Sequence, residues 1–363
     1  MKVLFISSKK GWGGVVTSMY RCALGLERRG HRIWILSHPD SLFNRSDPQG
    51  VTIIPRKLGM DFNPLMIGYL TAFMRHNSID VILTNIKKEV VIGGIAARLC
   101  GIPNVRRIGS PDDLNDSTRW YQSRLVDHSI VPSDMTLRQA RDKVDWLDPD
   151  DFTTVHTGRN PVSFTPGELR GQRRRWGLSE SDLIIGCTAQ LAAVKGLDGL
   201  IRVFAGVVAE HPECALVLTG EGPERESLEG LTGEFGISDR VILPGFSRDP
   251  GLASAAYDIA VLNSHSEGFP NTLVEYFAAG RAVVCTNVGG IPEIVEDGKN
   301  GLMIDPGDNR ALGEKILRLV EQPELRQRLG EGALETLKAG FTEERMIEDY
   351  ELVFERVTAG RVC

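Results

Sequence analysis

The stretch Asn263-Ser264-His265-Ser266-Glu267-Gly268-Phe269-Pro270-Asn271-Thr272-Leu273-Val274-Glu275-Tyr276-Phe277-Ala278-Ala279-Gly280 concentrates the chemistry of this 363-residue chain. The apolar run 259–262 ahead of it reads as a strand end, the Gly/Pro-bearing turn opens a short helix, and Gly280 closes that helix. Glu267 falls in the loop and Glu275 about one turn inside the helix, so the two carboxylates flank the helix N-terminus rather than sharing a face. Unpaired N–H groups and a partial positive charge suit that end to a phosphate. A phosphate between two carboxylates calls for a ligand that also carries hydroxyls. A nucleotide sugar meets the requirement, with pyrophosphate for the helix end, ribose hydroxyls for one Glu and sugar hydroxyls for the other. The plain alternative is a capped surface helix with two solvated glutamates.

Two other strand-to-helix loops are chemically unusual. Cys187-Thr188-Ala189-Gln190-Leu191-Ala192-Ala193-Val194-Lys195-Gly196 sets a lysine just ahead of a helix, where its full charge adds to the partial one of the helix end. Such a cation stabilises negative charge developing on a departing pyrophosphate, although a single lysine is more often simply exposed. The loop from Lys9 to Gly14 holds three glycines that let backbone amides approach an anion. It lacks the third glycine of the dinucleotide fingerprint at its required place, and the chain has no phosphate-loop Gly-Lys-Ser/Thr. Asn287 to Val295 reads as a further Gly-rich turn onto a helix, with Glu293 favouring the first turn through the dipole in preference to the alternative of lining the cleft.

Apolar runs of four to six residues alternate with helix-period segments, the grammar of an α/β fold with parallel sheets wrapped by helices. The runs 2–7, 31–37, 51–55, 80–85, 104–108, 128–131 and 152–156 are expected strands of a first domain. A second set follows at 183–189, 215–219, 241–243, 258–262, 282–285 and 302–304. Between them Gly158-Arg159-Asn160-Pro161, Pro166-Gly167-Glu168 and the basic run Arg170 to Arg175 read as a linker and restart. They divide the chain into domains 1–165 and 166–341, followed by a last amphipathic helix in 342–363 marked by Met346, Ile347, Tyr350, Val353 and Phe354. Two such domains, each large enough for its own core, place ligands outside the carboxyl ends of strands.

Composition narrows the classes further. No run is long enough to cross a membrane, and the apolar start of the chain is too short for a signal peptide, so a cytoplasmic protein is expected. Six scattered cysteines without a Cys-x-x-Cys pair read as reduced thiols. Residues 1–160 carry 22 Lys/Arg against 16 Asp/Glu and the rest 20 against 32. A basic half on an acidic protein suggests an anionic acceptor or an anionic membrane surface, with solvated charge as the bland alternative. The basic residues are dispersed without interleaved aromatics, which argues against nucleic acid.

From Leu183 onward the sequence resembles the retaining nucleotide-sugar glycosyltransferases of family 4. The matching pieces come in order: Gln190-Leu191 to Lys195-Gly196, Thr219-Gly220-Glu221-Gly222-Pro223, Val241 to Gly245, Glu267 to Glu275 with seven residues between, Gly289-Gly290-Ile291-Pro292-Glu293, and Asp297-Gly298-Lys299-Asn300-Gly301-Leu302. The first half is similar more loosely, through Gly13-Gly14, Arg29-Gly30-His31, Gly101-Ile102-Pro103 and Val126-Asp127 to Pro132-Ser133.

The resemblance implies the GT-B architecture, two facing Rossmann-like domains with a deep cleft between them and the last helix packed back on the first domain. It implies Lys195 on the donor phosphates, Glu267 on a hydroxyl of the transferred sugar and Glu275 on the ribose, with Lys195 and Glu267 as the catalytic pair. Gly268, Phe269, Pro270, Asn271, Thr272 and Leu273 would line the donor, and Gly13 and Gly14 would meet its pyrophosphate. No cofactor and no metal are implied.

The chain departs from the family pattern twice. Gln190 stands where many relatives carry an arginine, which leaves Lys9, Arg106 and Arg107 as candidates for the missing charge. Asp112 is the candidate in place of a first-domain histidine, so Lys9, Arg107 and Asp112 form the expected acceptor side. The acceptor would be a sugar, glycolipid or other hydroxyl compound of envelope glycan synthesis, met at the inner face of a membrane by a peripheral enzyme. A sugar epimerase or phosphorylase of the same fold, and a non-catalytic sugar-binding protein, are the rival readings. Transfer to a non-phosphate acceptor separates the first two, and the binding protein would normally be exported.

Overall fold

The computed structural model describes residues 1–10, 14–41, 44, 50–247 and 249–360. The chain forms two compact units, Met1–Thr157 with Glu343–Cys363, and Gly158–Thr342. The boundary expected near residue 165 therefore lies inside the second unit.

In the first unit the strands are β1 (Lys2–Ser7), β2 (Arg32–Ser37), β3 (Val51–Pro55), β4 (Val81–Thr84), β5 (Asn104–Arg107), β6 (His128–Val131) and β7 (Phe152–Thr154). They form one parallel sheet in the order β3-β2-β1-β4-β5-β6-β7. Helices Gly14–Arg28 and Glu343–Ala359 cover one face and Pro64–Asn77 and Lys87–Cys100 the other. Burial on both faces is why β4 and β5 are buried at every position and why β4 reads as a continuous apolar run.

The second unit holds β8 (Leu183–Thr188), β9 (Cys214–Thr219), β10 (Val241–Gly245), β11 (Ile259–Leu262), β12 (Ala282–Thr286) and β13 (Leu302–Ile304). Their order is β10-β9-β8-β11-β12-β13, again parallel throughout. Leu197–Glu210, Arg225–Glu234 and Asn309–Glu321 pack on one face and Pro250–Ala256 and Asn271–Ala278 on the other, while Pro323–Gly340 joins both cores, through Leu325 and Leu329 on the first side and Ala333 and Leu337 on the second. Strand order reverses between β8 and β11, so the loops leaving these two neighbours open a crevice at the carboxyl edge.

Three expectations change. The basic run Arg170 to Arg175 belongs to the helix Pro166–Arg175, not to a linker. It starts in a reciprocal cap in which Glu168 N–H donates to Thr165 Oγ1 (3.3 Å) and Thr165 N–H to Glu168 Oε2 (2.8 Å). The turn after Gly289 leads only to the 3₁₀ turn Ile291–Glu293, which is closed by Ile294 N–H donating to Ile291 O at 3.1 Å. The small residues of 92–99 read as a helix ahead of Gly101, and that helix begins earlier, at Lys87, where the buried Glu89 carboxylate accepts from the amides of Asn85 (3.0 Å) and Ile86 (3.2 Å). The same carboxylate accepts from Ser8 N–H at 2.6 Å, tying the end of β1 to the start of that helix.

Candidate functional site

The loops after β8 and β11 are fastened to each other. Asn263 Nδ2 donates to Gly196 O (2.8 Å) and His265 N–H to Val194 O (2.8 Å). Gly196 has φ +58°, and a Cβ there would lie 2.3 Å from Asn263 O, so only glycine allows the two loops to close up. On the other side Gly289, at φ +54°, lets the loop after β12 pack on the Glu267 carbonyl, with Gly290 N–H donating to Gly268 O at 2.7 Å.

This frame brings Lys195 and Glu267, 72 residues apart, into one ion pair. Lys195 Nζ donates to Glu267 Oε1 at 2.5 Å, and Ser264 Oγ donates to the same oxygen at 2.7 Å. Ser264 is held in turn by Thr286 Oγ1 donating to its carbonyl at 2.7 Å. The lysine side chain is 22% exposed and the glutamate 11%, so the pair is sheltered yet reachable.

Immediately beyond lies the helix Asn271–Ala278, whose N-cap is Pro270 and which has no side-chain cap. No side chain satisfies its first amides, and Asn271 Oδ1 is a buried acceptor without a partner among the described residues. Phe269 stacks on Phe341 with centroids 6.0 Å apart, and Leu273 is fully buried, so both anchor the loop and helix. Gly268 and Thr272 are half-buried at the same turn.

Glu275 occupies the middle of the helix and is not free. Arg159, from the stretch read as a linker, donates through Nη2 to Glu275 Oε1 at 2.8 Å, with the two side chains 4% and 12% exposed. The backbone of this stretch is pinned as well, Arg159 N–H donating to Phe341 O and Val162 N–H to Ala278 O, each at 2.9 Å. Below the site, burial pushes the Cys187 thiol up to about 12. It also raises the Tyr276 hydroxyl well above its ordinary value, and that hydroxyl accepts from Thr188 N–H at 2.7 Å. Neither group ionises near neutrality.

Of the remaining expected residues, Gln190 belongs to the second unit and Lys9, Gly14, Arg106, Arg107 and Asp112 to the first. Gln190 is exposed beyond β8. Gly14 begins the helix Gly14–Arg28, and Gly13 lies outside the described residues. Lys9 is exposed after β1. Asp112 is exposed and paired with Lys143. Arg107 is buried, its Nε donating to Tyr350 Oη at 3.1 Å, and Nη1 has no partner among the described residues. Arg106 cannot supply the charge missing at Gln190: Nε donates to Asn85 O (3.2 Å), Nη1 to Gln122 Oε1 (2.7 Å) and Nη2 to Asp113 O (3.1 Å). Arg159 and Ser264 were not singled out from sequence as site residues. Ser264 lies within the stretch 263–280, whereas Arg159 has no local signal. Among the described residues no cluster of His, Cys, Asp or Glu could hold a metal ion.

A parallel α/β sheet with an ammonium, a carboxylate and an uncapped helix end at its switch point offers groups that suit phosphate and hydroxyls together. Residues 12–162 match the profile of Glycosyltransferase Family 4, and residues 170–336 that of Glycosyl transferases group 1. The D-inositol 3-phosphate glycosyltransferase of Thermobispora bispora is 30% identical over 306 residues, covering 77% of this chain and 72% of the relative. With that match the chain belongs to the family 4 glycosyltransferases.

A lipopolysaccharide core biosynthesis glycosyltransferase, LpsD of Rhizobium meliloti, is 37% identical over 167 residues, 46% of this chain and 48% of the relative. The chain spans less than two thirds of the length of the first curated relatives it matches. Among solved structures, Anabaena Alr3699/HepE in complex with UDP and glucose superposes with a TM-score of 0.86 at 20% identity, over 98% of this chain and 100% of that one. The fold is accordingly that of the GT-B glycosyltransferases, two Rossmann-like α/β domains.

Proposed function

We propose that the chain is a retaining glycosyltransferase that moves a sugar from a nucleoside diphosphate-sugar to an acceptor hydroxyl in envelope glycan or glycolipid synthesis. The observation that carries this reading is the Lys195–Glu267 pair beside the uncapped end of Asn271–Ala278. Glu267 compensates the lysine charge. An ammonium has three donors, so Lys195 can keep Glu267 and still take a phosphate oxygen when a donor arrives.

During transfer the bond from the anomeric carbon to the β-phosphate oxygen breaks, and negative charge grows on the leaving diphosphate. Lys195 and the amides of Asn271 and Thr272 stabilise that charge where it develops. Glu267 accepts from a hydroxyl of the sugar and Glu275 from the ribose. The acceptor oxygen bonds to the anomeric carbon on the face the phosphate leaves, and its proton passes to the departing phosphate oxygen, which retains configuration. Lys9, Arg107 and Asp112 belong to the proposed acceptor side.

UDP and glucose in a structural neighbour make uridine diphosphate sugars the first donors to try. The lipopolysaccharide relative supports an envelope acceptor, and in this proposal a cytoplasmic enzyme meets it at the inner face of the membrane. The test is calorimetric binding of UDP, GDP and ADP, followed by turnover of the matching donor. Lys195→Ala and Glu267→Gln are each expected to lower kcat by about a hundredfold or more. Unchanged turnover in both variants would overturn the assignment.

A further inference from the structure

Large exposed apolar side chains are ordinary when scattered, and informative when they gather. Met60, Phe62 and Leu65 are 77%, 59% and 87% exposed and fall within six residues. They lead into the helix Pro64–Asn77, whose sequence contains no acidic residue. Its inner face is buried through Met66, Ile67, Leu70 and Met74. The outer face presents Pro64, Leu65, Gly68 and Ala72 before the first charge, Arg75. A surface helix normally turns polar residues outward; this one turns an uncharged face to water for three turns.

The rim of the patch is basic. Asp61 sits between Met60 and Phe62 and is held by Lys87 Nζ at 3.7 Å and Lys88 Nζ at 4.0 Å. The two lysines that begin the helix Lys87–Cys100 therefore flank the apolar tips. Lys57 is exposed on the same loop, and across residues 56–88 five Lys/Arg stand against two Asp. A second copy of the chain would bring this basic rim against itself. An anionic lipid surface instead complements both parts, taking the apolar tips below the headgroups and leaving the ammonium groups among the phosphates.

We propose that Met60, Phe62, Leu65 and the outer face of Pro64–Asn77, rimmed by Lys57, Lys87 and Lys88, form a docking surface for an anionic membrane. It gives the inner-face part of the proposed function a physical seat and rests on that reading. Vesicle binding needs no sugar donor, so its failure would leave the donor-site result standing.

The experiment is co-sedimentation of the full chain with vesicles of phosphatidylglycerol mixed with phosphatidylcholine, and with phosphatidylcholine alone. Binding is expected only to the mixed vesicles and weaker at high salt. The triple variant Met60→Ser/Phe62→Ser/Leu65→Ser should partition at least about tenfold less, with melting temperature and nucleoside diphosphate binding unchanged. Phe246→Ser removes a comparably exposed aromatic, 61%, from the other unit and should behave as wild type. Equal sedimentation of wild type and triple variant would overturn the proposal. So would a wild type that ignores the vesicles, or one that self-associates through these three residues, which would make the occupant a second copy.

Discussion

The carboxylate of Glu275 and the guanidinium of Arg159 are nearly withdrawn from water and have lost hydration that their contact must replace. Removing one partner of such a pair costs about 3 kcal/mol, because the other charge stays buried. Arg159→Met should therefore lower the urea midpoint of the second unit. It should also raise the donor KM about tenfold with a much smaller change in kcat, since Glu275 in its proposed role holds ribose, away from the bond that breaks. Arg159→Lys should recover part of the KM loss, and the preference for ribo- over 2′-deoxynucleoside diphosphates should weaken in Arg159→Met. A variant that loses stability but keeps donor KM and ribose preference would reduce Arg159 to a structural role. This pair joins positions 116 apart, and no periodicity or spacing around Gly158-Arg159-Asn160-Pro161 announces it. Lys195 and Glu267 were legible because each sits where local grammar, strand then loop then helix, places chemistry. Their direct contact follows only from β8 and β11 being neighbours.

Strands were legible as elements because a parallel sheet covered on both faces turns them into short apolar runs, as in Ile259–Leu262. The helices Asn309–Glu321 and Pro323–Gly340 carry no site motif to draw the eye. Their buried positions, Leu312, Ile316 and Leu319 in the first and Leu325, Leu329 and Ala333 in the second, are interleaved with many charges. The start of Lys87–Cys100 could have been read from Glu89, three residues after Ile86, as the acidic half of a cap. What positions the site most tightly is the contact between two loops, and Gly196 tests it. Alanine there would need a left-handed φ, costing about 1 kcal/mol or more, and would press its Cβ onto the backbone oxygen of Asn263. Gly196→Ala should displace Val194 from His265 and open the Lys195–Glu267 pair. The expected outcome is nucleoside diphosphate affinity reduced at least about tenfold with only a modest drop in melting temperature, measured by calorimetry and thermal unfolding.

The two units differ in how the chain supplies them. The second is one continuous segment, 158–342, with all six strands and the helices on both faces of its sheet. The first is completed only when the helix Glu343–Ala359 brings Met346, Ile347, Tyr350, Val353 and Phe354 onto the core cluster it shares with Val16, Met19 and Cys22. Polar contacts reinforce the same seam. Glu343 pairs with Arg28 at 2.5 Å and Arg21 at 3.2 Å, and Glu351 with His31 at 2.6 Å and Arg29 at 2.8 Å. The exposed pairs contribute little, but losing five buried apolar side chains amounts to on the order of 10 kcal/mol, comparable with the whole stability of a domain. A fragment of residues 158–342 should therefore unfold cooperatively and bind the nucleoside diphosphate that the full chain binds. A fragment of residues 1–157 should lack a cooperative transition, and fusing residues 343–360 to it through a flexible linker should restore one. Circular dichroism melts of the three fragments, with calorimetry on the first, decide it. A cooperative melt of 1–157 alone would show that the returning helix is an accessory to a core already complete without it.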